Sequence, residues 1–301
     1  MNDACGLSRG RMLALAGAGL LAGCAGGGRS GSSVAVGSKD FTEELILGEM
    51  YAQVLEHRGL QVERRLNLGG TQVAMDALRR GDIDLYPEYT GTALITVLKA
   101  SPNGLSSDAV YAKVKAAYAH DYALEWLAPA PMNDTQALAT TSAIAQRYGI
   151  RTLSELSRAA PQLRLGAIPE FTKRADGLPG LQRVYGGFQF KEVRLFDIGL
   201  KYEALLHGQV DVVVAFGTDG QILADKLVVF VDDKHFWPAY HVAPVVRAAT
   251  LQRLPQIRPA LDALAPLLTD GVMRTLNYAV DGLKREPADL AHEFLAAHKL
   301  V

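Results

Sequence analysis

Two similar α/β lobes facing a shared cleft are the fold class this sequence predicts, and three observations lead to it. Segments recur about 128 residues apart: Val34-Ala35-Val36-Gly37-Ser38-Lys39-Asp40-Phe41-Thr42 is answered by Leu163-Arg164-Leu165-Gly166-Ala167-Ile168-Pro169-Glu170-Phe171-Thr172. A second pair follows in the same order, Ala77 to Asp84 and Ala204 to Asp211, each reading as a helix end, a glycine suited to a left-handed cap, and a strand. Between these points Leu45, Ile46, Met50, Val54 and Leu55 repeat at helical spacing, and Gln61 to Leu66 alternates as a strand does. Strand, helix, strand, helix, strand, given twice, makes two lobes with mainly parallel sheets and flanking helices.

The chain opens on a processing signal. Arg9 and Arg11 precede the apolar run Met12 to Leu20, which ends in Leu21-Ala22-Gly23-Cys24. This resembles a bacterial lipoprotein signal, which implies removal of residues 1–23 and acylation of Cys24. Residues 24–33, rich in glycine and serine, read as a flexible tether with a reach of about 15 to 18 Å. The folded part is thus expected outside the cytoplasm, held at a membrane by lipid. Loss of residues 1–23 moves the formal charge from −1 to −2, far from the basic balance that nucleic acid asks for. The only cysteines are Cys5 and Cys24, which leaves the mature chain no second thiol for a disulfide or a zinc cluster.

Gly81 to Thr92 then reads as a short buried strand running into a loop that displays Tyr86, Glu88, Tyr89, Thr90 and Thr92. Tyrosine faces attract ammonium groups through the ring quadrupole. The repeat aligns Asp84 with Asp211, so Tyr89 and Phe216 share an offset and each lobe sends one aromatic to the cleft. Asp40-Phe41-Thr42 and Glu170-Phe171-Thr172 are expected to start helices whose first amides suit an anionic group. Aromatics and amide ends together suit a zwitterion.

Gly37-Ser38-Lys39-Asp40-Phe41-Thr42-Glu43, Leu68-Gly69-Gly70-Thr71, Gly81 to Thr92, Ala215 to Gly220, and Asp232-Asp233-Lys234 with Pro238-Ala239-Tyr240 carry a family resemblance over almost the whole mature chain. In these motifs it is similar to the glycine betaine/choline-binding proteins of osmoprotectant ABC importers. The resemblance implies a two-lobed periplasmic-binding-protein fold (type II), with lobe 1 at 34–133 and 241–301, lobe 2 at 134–240, and hinge crossings near 132–136 and 238–241. It implies no cofactor, and as partners a small quaternary ammonium or zwitterionic ligand, an ABC permease and its ATPase; a monomer is expected. It carries the carboxylate-binding roles onto Lys39, Thr92 and Arg174, and the aromatic cage onto Tyr89, Gln136, Phe216 and Tyr240, with a supporting carboxylate at Asp134. Members with a full cage have tyrosine where this chain has Gln136 and Phe216, so one wall loses its ring and another only its hydroxyl.

Rival readings stay open at this point: a binding protein for another small zwitterion such as an amino acid, or an enzyme on the same fold. Beyond the signal segment, where Gly6-Leu7-Ser8-Arg9-Gly10 falls, no Gly-x-Ser-x-Gly elbow is present, and the chain has no Gly-Lys dipeptide for a phosphate loop. His292 and His298 lie six residues apart, whereas a zinc-binding helix needs four to place both on one face.

Overall fold

A computed structural model describes residues 31–102 and 104–301, so residues 1–23, Cys24 and most of the expected tether lie outside the described residues. Ser33, assigned to the tether from sequence, is already the first residue of a strand. Among the described residues ten strands form two five-stranded sheets. The first holds β1 (Ser33–Gly37), β2 (Gln61–Arg65), β3 (Leu85–Tyr89), β4 (Leu124–Trp126) and β10 (Val242–Arg247) in the order β2-β1-β3-β10-β4. The second holds β5 (Gln136–Thr140), β6 (Arg164–Ala167), β7 (Glu192–Leu195), β8 (Val212–Phe216) and β9 (Val228–Val229) in the order β7-β6-β8-β5-β9.

The two orders match strand for strand. In each sheet four strands run one way, and the strand that enters from the other lobe is reversed: β10 is antiparallel to both β3 and β4, and β5 to both β8 and β9. The parallel trio on the other side of each reversed strand is the part the repeat announces.

The repeat persists at the level of single hydrogen bonds. Asp84 stands just before β3 and accepts the Ala35 amide of β1 at Oδ2 (2.8 Å), while its own amide donates to the Ala35 carbonyl. Asp211 stands just before β8 and treats Arg164 of β6 in the same way, with Oδ2 again 2.8 Å from the amide. Each aspartate thereby pins the register of two parallel strands whose side-by-side placement has no hairpin to enforce it. The glycines ahead of them, Gly81 (φ 82°) and Gly208 (φ 67°), take the left-handed conformation that ends the preceding helices.

Helices cover both sheets. In lobe 1 the helix Thr42–His57 buries Ile46, Leu47, Met50, Val54 and Leu55 against the helices Ile257–Leu264, Asp270–Asp281 and Pro287–Ala297. In lobe 2 Leu138, Leu165, Phe171, Phe188, Val212 and Val214 form the counterpart core.

Two expectations are corrected. Glu170-Phe171-Thr172 does not start a helix. The chain makes a single turn there, with the Lys173 and Arg174 amides both donating to the Glu170 carbonyl, and helix resumes only at Leu178. Pro179 has no amide for the Ala175 carbonyl, which breaks a continuous helix, and a Cβ on Gly177 would meet the Phe171 carbonyl oxygen at 2.0 Å, so the turn that replaces it needs glycine there. Tyr86 to Tyr89 are strand rather than loop, and three residues along a strand put the two rings on opposite faces. Tyr86 therefore packs into the lobe 1 interior with Trp126 and Tyr118, and only Tyr89 reaches the cleft.

The chain passes between sheets twice, after Trp126 and after Val229. The two passages are tied where Asn133 bridges His241, the Asp134 amide donates to the Tyr240 carbonyl, and the Tyr240 amide donates to Asn133 Oδ1 (2.7 Å). A third tie joins the lobes beside them. Arg274 and Asn277 on the helix Asp270–Asp281 donate to the Gly217 carbonyl (2.9 Å) and the Thr218 carbonyl (2.9 Å) of lobe 2, and Asp281 accepts from Gln221 Nε2 (3.1 Å).

Candidate functional site

The carboxyl ends of the parallel strands face one another across a cavity of about 350 Å³, a size usual for a small-molecule site. All eight residues expected at a ligand line it. Lys39, Tyr89 and Thr92 come from the ends of β1 and β3; Gln136, Arg174 and Phe216 come from lobe 2; Asp134 and Tyr240 come from the two crossings.

Tyr89 ends β3 with its ring near that of Phe41 (centroids 6.1 Å apart) and its hydroxyl donating to Glu43 Oε1 (2.7 Å). Glu43 also accepts from Asn277 Nδ2 (2.9 Å), so both tyrosine and acid are fixed from the lobe 1 side. Phe216 ends β8 directly opposite Gln136, the first residue of β5, so the ring and the amide stand side by side as one wall of lobe 2. Tyr240 packs its ring on Gly91, where any Cβ would meet ring carbons at 2.7 Å, and donates its hydroxyl to Asp176 Oδ2 (2.6 Å).

The two cations of the cavity wall, Lys39 and Arg174, are compensated in place. Lys39, 4% exposed, gives its ammonium to Glu88 (2.7 Å), with Glu44 at 3.6 Å and the Tyr89 ring centroid at 4.7 Å. Arg174 forms a two-pronged pair with Asp176 (2.8 and 2.5 Å), which occupies two of its five N–H groups. Asp134 accepts from the amide and hydroxyl of Thr218 (3.2 and 2.6 Å). Burial, reinforced by the charges of Glu43 and Asp219, pushes the Asp134 carboxyl well above its ordinary value. Burial likewise raises Glu43, and it pushes Glu44 up to about 8. A buried acid held near neutrality is one that an incoming cation can ionise.

Several lining residues were missed from sequence. Phe196, Asp197 and Ile198 follow β7 and carry no motif of their own. A signal existed: the offset of 127 between Tyr89 and Phe216 carries Gly70-Thr71, also in the wall, onto Asp197-Ile198. Glu88 and Asp176, which hold Lys39 and Arg174, gave no signal, because nothing in the order of residues says which carboxylate a distant cation will meet. The described residues hold no cluster of His, Cys, Asp or Glu fit for a metal ion, and no helix among them is long and apolar enough to cross a membrane.

Comparison with known proteins agrees with this geometry. Residues 32–297 match the model of the substrate binding domain of ABC-type glycine betaine transport systems. The chain is 36% identical to a glycine-betaine-binding protein of Pseudomonas aeruginosa, over 97% of this chain and 95% of that one. It is 34% identical, over 86% of its length, to an ergothioneine transport permease/ergothioneine binding protein of Helicobacter pylori, of which it spans only 46%. Among solved structures, a glycine betaine/carnitine/choline ABC transporter protein is similar with a TM-score of 0.74 at 30% identity, over 89% of this chain and 99% of that one.

Proposed function

Because the chain belongs to the family of substrate-binding domains of ABC-type glycine betaine transport systems, we propose that its cleft captures a small quaternary ammonium zwitterion and delivers it to a permease driven by a separate ATPase. Proteins of this family bind and hand over solutes and are not enzymes. The observation that carries the proposal is the make-up of the cavity lining: the rings of Phe41, Tyr89, Phe216 and Tyr240 share it with the buried acid Asp134 and with the cations Lys39 and Arg174.

In this reading the ammonium head rests among Tyr89, Phe216 and Tyr240 with Asp134 beneath it, while Arg174, Lys39 and Thr92 take the carboxylate. A desolvated cation–π contact contributes about 2 kcal/mol and an exposed one about 0.5 to 1. Glycine betaine, carnitine and ergothioneine, for which relatives are named, share a trimethylammonium head and a carboxylate, which is the part these residues address.

Titration calorimetry with glycine betaine, carnitine, choline and a set of amino acids tests the class. Tyr89→Ala is expected to weaken the tightest quaternary ligand by tenfold or more, and Arg79→Ala to leave it unchanged, since Arg79 lies over the Tyr122 ring away from the cavity. Equal losses in the two variants, or binding of amino acids alone, would overturn the assignment.

The lipoprotein-like start supports an extracytoplasmic place at a membrane surface, anchored through Cys24. Cys24→Ser is then expected to move the protein from the membrane pellet to the soluble fraction in cells; retention in the pellet would remove the anchor.

A further inference from the structure

The acids around the cavity fall into two kinds. Glu88 and Asp176 each hold a cation, Lys39 and Arg174, and Asp219 stands 3.5 Å from the Lys201 ammonium. Asp134 and Glu43, 8% and 3% exposed, meet only neutral donors and form no ion pair among the described residues. A lone carboxylate taken out of water costs more free energy than the same group with its proton kept. After burial, the charge of Glu43 is the next influence that holds the proton on Asp134. The bonds say why Asp134 is the one to carry it. Glu43 accepts from the Tyr89 hydroxyl at Oε1 and from Asn277 at Oε2, whereas both Thr218 bonds of Asp134 end on Oδ1 and leave Oδ2 for a proton. Of the two, only Asp134 lines the cavity.

The other charges around the pair are already engaged. Lys201 faces Asp219 and donates to the Ile198 carbonyl (3.1 Å), and Arg274 donates to the Gly217 carbonyl and faces Asp270 (3.9 Å). Asp281 accepts from Thr42 and Gln221, and the His241 ring sets Nδ1 on the Met132 carbonyl (2.8 Å). The phenols of Tyr89 and Tyr202 donate to Glu43 and Asp219. Among the described residues no cation pairs with Asp134, so the first to do so is the head of the ligand.

We propose that capture of the cationic head drives a proton from Asp134 into solvent, so that each quaternary ammonium enters the cleft in exchange for one proton. The O–H bond of the Asp134 carboxyl breaks, its electron pair stays on the carboxylate that faces the ammonium, and water or buffer takes the proton. The inference rests on the quaternary-ammonium reading above and deepens it. Affinity then rises with pH, by up to about tenfold per unit while the empty site keeps its proton, and levels off once that proton is lost.

Choline is the first probe, because it carries the head without a carboxylate and has no group that titrates near neutrality; glycine betaine is the second. Calorimetry on the full chain near neutral pH, in phosphate and in Tris, counts protons from the dependence of binding enthalpy on the ionisation enthalpy of the buffer. Wild type is expected to release about one proton per choline, and Asp134→Asn to bind more weakly and release none. Infrared difference spectra supply a readout that does not need the variant to bind: wild type is expected to lose a protonated-carboxyl band on adding choline, and that band to be missing from empty Asp134→Asn. Binding by wild type without proton release overturns the proposal alone, and so does a release or a carboxyl band that survives in Asp134→Asn. Failure of wild type to bind both choline and glycine betaine overturns the underlying reading of the cleft, and the proposal with it.

Discussion

Glu44 illustrates how much a single residue of this site depends on what surrounds it. Its Oε2 accepts the Lys39 amide (2.9 Å), while Oε1 has no hydrogen-bond partner and lies 3.6 Å from the Lys39 ammonium. Burial wins over the nearby cation and lifts the carboxyl to about 8, so the folded protein holds a proton that the unfolded chain releases near the ordinary value of 4.5. The stability this proton carries is complete below pH 4.5 and is lost as pH rises through 8. Glu44→Gln keeps the acceptor for the Lys39 amide and has no proton to lose. The variant is expected to match wild type in thermal unfolding at pH 5 and to exceed it at pH 9, by a few kcal/mol at most, since one pH unit corresponds to about 1.4 kcal/mol. Parallel melting curves for the two proteins across that range would refute the assignment. Sequence gave Lys39 as a site residue but not the carboxylates that hold it, because Glu88 lies 49 residues along the chain and meets it only after β1 and β3 pair.

Strands and their connections show where sequence reading succeeds and where it stops. The repeat identified Asp84 with Asp211, Gly81 with Gly208 and Tyr89 with Phe216, and each pair holds equivalent positions in its sheet. It misled at Glu170-Phe171-Thr172, where likeness to the other copy outweighed the local message of Gly177 and Pro179. The two aspartates also differ in what their loss costs. Asp84 is 2% exposed and accepts from both the Ala35 amide and the Thr250 hydroxyl (2.8 Å). Asp211 is partly open to water, where a lost bond is readily replaced. Asp84→Ala is expected to cost about 3 kcal/mol and Asp211→Ala about 1 kcal/mol in urea unfolding, as buried and solvated partners respectively. The reverse order would show that the strand register is not held in this way.

At the scale of the molecule, two lobes of one pattern form a single site because their strand ends converge and the chain passes between them beside the ligand's expected seat. Asp134 and Tyr240 line the cavity and also belong to the passages that join the lobes. Any solute touching them touches the joint itself, so a ligand with better contacts in the closed form shifts the balance of lobe positions directly. The composition and motifs made the two-lobed cleft legible. They did not reveal the added tie through Arg274, Asn277 and Asp281, since polar residues on a C-terminal helix look alike whether they face water or another lobe.

That tie has a consequence for the thermodynamics of capture. Two chain crossings alone define a line about which lobes can both bend and twist, and every such freedom given up on closure is an entropy that ligand contacts must offset. A helix that reaches from lobe 1 to grip Gly217, Thr218 and Gln221 beside that line withdraws part of the twisting before any solute arrives. Those three bonds take up, within the fold itself, part of the freedom that ligand contacts would otherwise have to offset.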